Sequence, residues 1–155
     1  MIVFRLAKSE FCSDLSGKGA EKAGGRWNSK GIAVVYTSVS RALCITEIAV
    51  HTPLGNIPDD YNLVSIELPA KATIFKLEES KLPKDWKSFP HPNSTQLLGD
   101  KFISEMNYLI LQVPSVIVQG EYNYLLNPKH KDFKKVKIIK IEKFVFDQRL
   151  FVKQR

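Results

Sequence analysis

The period of hydrophobic and polar positions changes several times along this chain, and each change marks an element. IVFRL (2–6) opens as a short strand, and IAVVYT (32–37), rich in β-branched residues, is a second. A helical period follows. Ala42, Ile45, Ile48 and Ala49 recur at spacings of three and four, so a helix capped by Ser38 or Ser40 runs to about His51. In YNLVSIELP (61–69) the residues Val64, Ile66 and Leu68 alternate as a half-buried strand, and ATIFKL (72–77) is another. Ser94 is placed to cap a helix to about Glu105 with Leu97, Leu98, Phe102 and Ile103 on its apolar face. YLILQVPSVIV (108–118) is a strand interrupted by Pro114, which marks an edge, a bulge or a strand start. EYNYLLNPKH (121–130) carries a turn ending in Asn-Pro, and VKIIKIEKFVF (136–146) is the last strand region. Many strands with two or three helices predict an α+β fold on a mostly antiparallel or mixed sheet, not a doubly wound one. The 155 residues suffice for one domain, 1–155, with a real core.

Composition narrows the class. No apolar run approaches the roughly 18 residues that span a membrane, and Arg5 interrupts any secretory h-region, so the expected location is cytoplasmic. Two cysteines, Cys12 and Cys44, show neither CxxC nor zinc spacing and read as reduced and structural. The net charge of +7 is localised: residues 129–155 hold ten Lys/Arg against three Asp/Glu, while the first 128 residues hold thirteen of each. Lysines mixed with Val136, Ile138, Ile139 and Ile141 suit a solvated edge strand, with an acidic partner surface as the sharper alternative and nucleic acid a distant third.

Candidate chemistry starts in residues 9–31, which hold five of the eight glycines and read as an ordered, functional loop. In GGRWNSKG (24–31) an arginine fork and a tryptophan face sit on permissive backbone, a combination that suits a flat anionic ligand. The Walker pattern fails because Gly25-Arg26 stands where Lys-Ser/Thr is required, and the Rossmann pattern fails at Lys22. Backbone N–H groups near Arg26, and Lys18, remain able to cradle a pyrophosphate. Glu47 interrupts an apolar stretch of helix, so it is either on the exposed face or buried with a purpose; His51 falls four residues on. No third ligand accompanies that pair, and no metal site is expected. Ser115 lies in an apolar strand without a GxSxG elbow. Asn123 and Asn127 read as turn-makers, and His91 and His130 have no assigned role.

In order along the chain, SGKGAEKAGGRWNSKGIAVVYTS, ALCITEIAVH, LGDKF, VPSVIV and NYLLNPKHKDF closely resemble the RES domain family, from FRL near the start to FDQRL near the end. The arginine, glutamate and serine that name the family match Arg26, Glu47 and Ser115. LGDKF has Phe102 where the family often has Trp, a mild departure. The resemblance implies the toxin of a bacterial type II toxin–antitoxin system, with a fold similar to the ADP-ribosyltransferase toxins. It implies attack on the nicotinamide–ribose bond of NAD⁺ by hydrolysis, phosphorolysis or transfer to a protein. NAD⁺ is then substrate, with phosphate as a possible co-substrate and no separate cofactor. The implied partner is an Xre-like helix-turn-helix antitoxin that occludes the site, through which alone nucleic acid is contacted; a nucleic-acid-binding or RNA-cleaving toxin is the rival from another class. On this reading Arg26, Glu47 and Ser115 are catalytic. Gly25, Tyr36, Asn127, Arg5 and Lys18 bind substrate, with Tyr36 stacking on nicotinamide and Trp27 favoured for packing.

Overall fold

In a strand successive side chains point to opposite faces, and neighbouring apolar residues here sort into two cores on that rule. The computed structural model describes residues 1–152; Lys153 and Arg155 of the basic C-terminal region lie outside the described residues. Seven strands, β1 (Ile2–Lys8), β2 (Val35–Ser38), β3 (Tyr61–Glu67), β4 (Ile74–Lys76), β5 (Ile110–Pro114), β6 (Tyr122–Leu126) and β7 (Lys137–Phe144), form one sheet. Their order is β4-β5-β6-β2-β1-β3-β7. Only the β4–β5 pair is parallel, and the sheet is therefore mixed. With helices α1 (Lys18–Ala23), α2 (Arg41–His51) and α3 (Asn93–Glu105) the architecture is α+β.

Ile110 and Leu126 join Val3, Val35, Val64 and Ile66 in one cluster, whereas Leu111, Val113 and Leu125 pack with Trp27, Trp86, Phe102 and Ile103 in the other. The second cluster seats α3 against β5 and β6. Its inward positions are Thr95, Gly99, Phe102 and Ile103, while Leu97 is exposed. The expected apolar face is thus rotated by the small residues Thr95 and Gly99.

Other departures have local causes. KGAEKA forms α1 inside the glycine-rich segment, bracketed by left-handed Gly17 and by Gly24, both at positive φ. Ser94 does not cap α3; the helix begins after Pro92 without a side-chain cap, and the Ser94 hydroxyl donates to Asp85 Oδ1 at 3.1 Å. Ser40 does cap α2, accepting from Leu43 N–H at 3.1 Å. The EYNYLL segment, expected to be a turn, is strand β6, paired on both sides. Pro114 ends β5 rather than starting a strand. Alternation turns its ring nitrogen toward β4, which pairs only as far as Gln112, so no ladder bond is lost. β7 is an edge strand with Ile139 as an extra residue at a bulge opposite Ser65 and Ile66, and its lysines are exposed.

Candidate active site

Strands β1 and β2 meet at a single register pair, Phe4↔Ser38. A cleft of about 750 Å³ opens around this junction, a size that suits a dinucleotide-scale ligand. Its walls come from Phe4–Leu6 of β1, Tyr36–Ser38 of β2, the Gly24–Trp27 turn, the Glu47 face of α2, Asn123 of β6, and Lys87, Phe89 and His91 of the 77–92 loop.

The arginine turn is held from below by α3. The Cα of Gly99 lies so close to the turn that an added Cβ would sit 1.7 Å from Trp27 O. One residue on, Asp100 Oδ1 accepts from Ser29 N–H at 2.9 Å, and Gln96 Nε2 donates to Gly25 O and Asn28 O at 3.0 and 3.2 Å. Asn28 is fully buried, its amide donating to Ala20 O and Ile32 O. The Tyr36 hydroxyl donates to Asn28 Oδ1 at 2.8 Å and accepts from Trp27 N–H at 3.1 Å. Burial raises the Tyr36 hydroxyl above its ordinary value, so it stays a neutral donor. Gly25 packs on that hydroxyl; a Cβ there would lie 2.6 Å from Tyr36 Oη. Trp27 is buried, 6.5 Å from Trp86 between ring centres, and packs as expected.

This scaffold carries Arg26. Its Nη1 donates to Trp86 O at 2.6 Å and Ser88 O at 3.0 Å. Nη2 and Nε have no protein partner among the described residues, so one edge of the fork remains for a ligand. Desolvation lowers the Arg26 pKa, while Glu47 and Tyr36 act to raise it; the guanidinium stays charged throughout the physiological range.

Glu47 follows Leu43 and Cys44, the buried residues of α2, at spacings of four and three, and so shares their stripe. It is half-buried and lines the cleft rather than the outer face, with His51 one turn further on. Asn123 Nδ2 donates to Glu47 Oε1 at 2.6 Å, and Ser38 Oγ donates to Asn123 Oδ1 at 2.7 Å. Among the described residues Oε2 has no partner, and no ion pair joins Glu47 to Arg26. Cys44 also lines the cleft, but burial pushes its thiol up to about 11, so it offers no thiolate at neutral pH.

The remaining candidates divide. Arg5 lines the cleft and a smaller adjoining hollow, with Nη1 donating to Asp14 O at 2.6 Å. Lys18 borders only that hollow. Ser115 is buried outside the cleft lining, its Oγ accepting from Ile117 and Val118 N–H to cap the turn after β5. Asn127 is fully buried, donating to Ile103 O and accepting from Lys129 N–H. The structure thus brings Arg26, Glu47, Tyr36, Gly25 and Arg5 together; Ser115 does not itself line the cleft, but Pro114, Val116 and Ile117 around it do, while Lys18 and Asn127 lie outside the lining. Asn123, read as a turn-maker, is a cleft residue that sequence reasoning missed, as are Lys87 and His91 of the 77–92 loop. The signal for Asn123 is register: it lies directly opposite Ser38 across β2 and β6. No group of three or more His, Cys, Asp and Glu able to hold a metal ion occurs among the described residues. No helix among them is long and apolar enough to cross a membrane.

The chain is 38% identical over 149 residues to the Prs ADP-ribosylating toxin of Sphingobium sp. strain YBL2, covering 95% of this chain and 92% of that protein. It is 35% identical over 152 residues to Toxin Res of Yersinia enterocolitica, covering 97% and 99%. Among solved structures, the crystal structure of the M. tuberculosis MbcT-MbcA toxin-antitoxin complex contains a similar fold, with a TM-score of 0.69 at 18% identity over 97% of this chain and 86% of that one. The RES domain model matches residues 2–147. With nearly every residue matched and the arginine, glutamate and serine motifs in order, the chain belongs to the RES domain family.

Proposed function

We propose that this chain is the toxin of a toxin–antitoxin pair and that it breaks the nicotinamide–ribose bond of NAD⁺. The observation that carries the reading is the half-engaged Arg26 fork and the half-engaged Glu47 carboxylate lining one cleft without pairing with each other. Arg5, Arg26 and Lys87 against the single carboxylate Glu47 give that cleft a cationic bias, which suits a dianionic pyrophosphate. The names of the Sphingobium and Yersinia relatives support the toxin class.

The chemistry follows from the substrate. Nicotinamide is bound as a pyridinium and departs neutral when the C1′–N bond breaks, its electron pair returning to the ring nitrogen. No general acid is needed. The demand is a stabilised oxocarbenium-like ribosyl centre, as in glycoside cleavage. Arg26 binds pyrophosphate through Nη2 and Nε, and the Tyr36 ring, its hydroxyl held by Asn28 and Trp27, offers a fixed face to nicotinamide. Glu47 Oε2 supplies negative charge and holds a ribose hydroxyl. Water, phosphate or a protein side chain then attacks C1′, giving ADP-ribose, ADP-ribose 1″-phosphate or an ADP-ribosylated target. NAD⁺ is consumed, and no other cofactor enters.

Transfer to a protein is the second reading, favoured by the name of the Sphingobium relative. For regulation we propose an Xre-like antitoxin that fills the cleft, a reading supported by the fold neighbour, which was crystallised as a toxin-antitoxin complex. The test is incubation of the purified chain with NAD⁺, with and without phosphate, followed by product identification. Nicotinamide release that the antitoxin abolishes is the expected result. Intact NAD⁺ together with steeply salt-dependent nucleic-acid binding would favour the rival reading of the lysine edge.

A further inference from the structure

Asn123 sits between two polar side chains whose chemistry fixes its orientation. An amide oxygen 2.6 Å from a carboxylate oxygen would be two acceptors in contact, so the group facing Glu47 Oε1 must be the Nδ2 donor. The opposite end, Oδ1, then accepts from Ser38 Oγ at 2.7 Å. Register enforces the arrangement: Ser38 and Asn123 are direct cross-strand partners in the β2–β6 ladder. Ser38 is buried at the end of β2, two residues before Ser40, the cap of α2, so the strand whose Ser38 engages Asn123 also leads into the helix that carries Glu47.

We infer that Asn123 is a positioning residue for Glu47, locked by Ser38, which engages Oε1 and turns Oε2 toward the ribosyl ring. This inference rests on the proposed NAD⁺ cleavage, which it deepens by naming how the carboxylate is aimed. A carboxylate on a helix has three side-chain torsions. One short charge-assisted bond to a β-strand removes most of that freedom before substrate arrives. Ser38→Ala frees the amide to rotate and gives a smaller loss than removal of Asn123 itself.

Asn123→Ala is expected to lower kcat by roughly 10- to 100-fold with little change in KM, because misplacing a reacting group by about 1 Å costs on that order. Asn123→Asp preserves shape and serves as the test if the alanine variant does not fold. It replaces the donor by a second carboxylate, so its kcat falls further near neutral pH and partly recovers in acid, when a shared proton restores the hydrogen bond. Arg26, Tyr36, Cys44 and His51 also face Glu47, on the arginine turn, on β2 and on α2. Comparison with Asn123→Ala, which keeps all four, isolates the acid recovery. A folded Asn123→Ala with wild-type kcat, or an Asn123→Asp profile parallel to that of alanine, overturns the inference. A readout independent of turnover separates it from the functional reading: the carboxyl carbon NMR resonance of Glu47 at neutral pH without NAD⁺. Loss of the Asn123 hydrogen bond should move that resonance in a folded Asn123→Ala variant. An unmoved resonance refutes the positioning role. A moved resonance in a chain whose wild type leaves NAD⁺ intact refutes only the cleavage.

Discussion

Gly99→Ala tests whether α3 builds the arginine turn. Two effects oppose each other. Alanine in a helix interior gains about 1 kcal/mol over glycine in propensity. Against it, the new Cβ would stand 1.7 Å from Trp27 O and 2.7 Å from Trp27 C, both backbone atoms that cannot rotate away. Restoring an ordinary contact requires the turn and helix to separate by roughly 1.5 Å, and overpacking of this kind costs about 1–3 kcal/mol or more. The clash should win. The expected net loss is about 1–2 kcal/mol, or a fall in Tm of roughly 2–8 °C for a chain of this length. The same separation moves Arg26 and weakens the Asp100 and Gln96 bonds, so NAD⁺ turnover by the folded variant should fall by about 100-fold. Calorimetry with a nicotinamide-release assay below Tm gives both numbers. A Tm at or above wild type with unchanged turnover would refute the claim that the turn depends on this close approach.

Two other perturbations probe the same wall. Arg26→Lys keeps the charge but not the fork that spans Trp86 O, Ser88 O and ligand, so turnover should drop about tenfold or more, measured as kcat/KM for NAD⁺. Burial raises the Tyr36 hydroxyl above its ordinary 10.0. The folded chain therefore holds that proton when the unfolded chain releases it; stability is intact below about pH 10 and is lost as pH rises beyond it. Denaturant titrations across that range should show the decline in wild type and a shallower one in Tyr36→Phe, which itself is less stable at neutral pH by about 1–3 kcal/mol because Asn28 and Trp27 lose their partner.

The sequence places β3 and α2 and the Ser40 cap, but not the faces they bury. In β3 the residues Leu63, Val64, Ser65 and Ile66 are all buried, so the strand is covered on both faces rather than half-buried, and α2 buries Leu43 and Cys44 while Ala42, expected on the apolar face, is exposed. β6 is hidden because Leu125 and Leu126 are both fully buried, one in each core, which erases alternation, and because Asn-Pro follows. α1 is hidden by glycine content. The site is legible to the same extent. Arg26 and Gly25 stand out by composition, and Glu47 by its apolar surroundings. Whether Glu47 faces in or out depends on where α2 lands, which Leu43 and Cys44 decide only once the sheet exists. Ser115 and Asn127 carry family motifs, and here the Ser115 hydroxyl accepts from the turn after β5 while the Asn127 amide bridges α3 and Lys129 N–H. Asn123 emerges only from the β2–β6 register, and β6 is itself the strand that periodicity conceals.

The most direct test of the central claim is nicotinamide release at saturating NAD⁺ by wild type and Glu47→Gln. Glutamine can still accept from Asn123 Nδ2, so the 2.6 Å contact and the fold survive while the negative charge is lost. If Glu47 stabilises the ribosyl cation, the rate falls by about 10²–10³-fold with NAD⁺ affinity and Tm little changed. A folded glutamine variant that releases nicotinamide at the wild-type rate, or one that loses Tm while keeping its specific activity, would contradict the account.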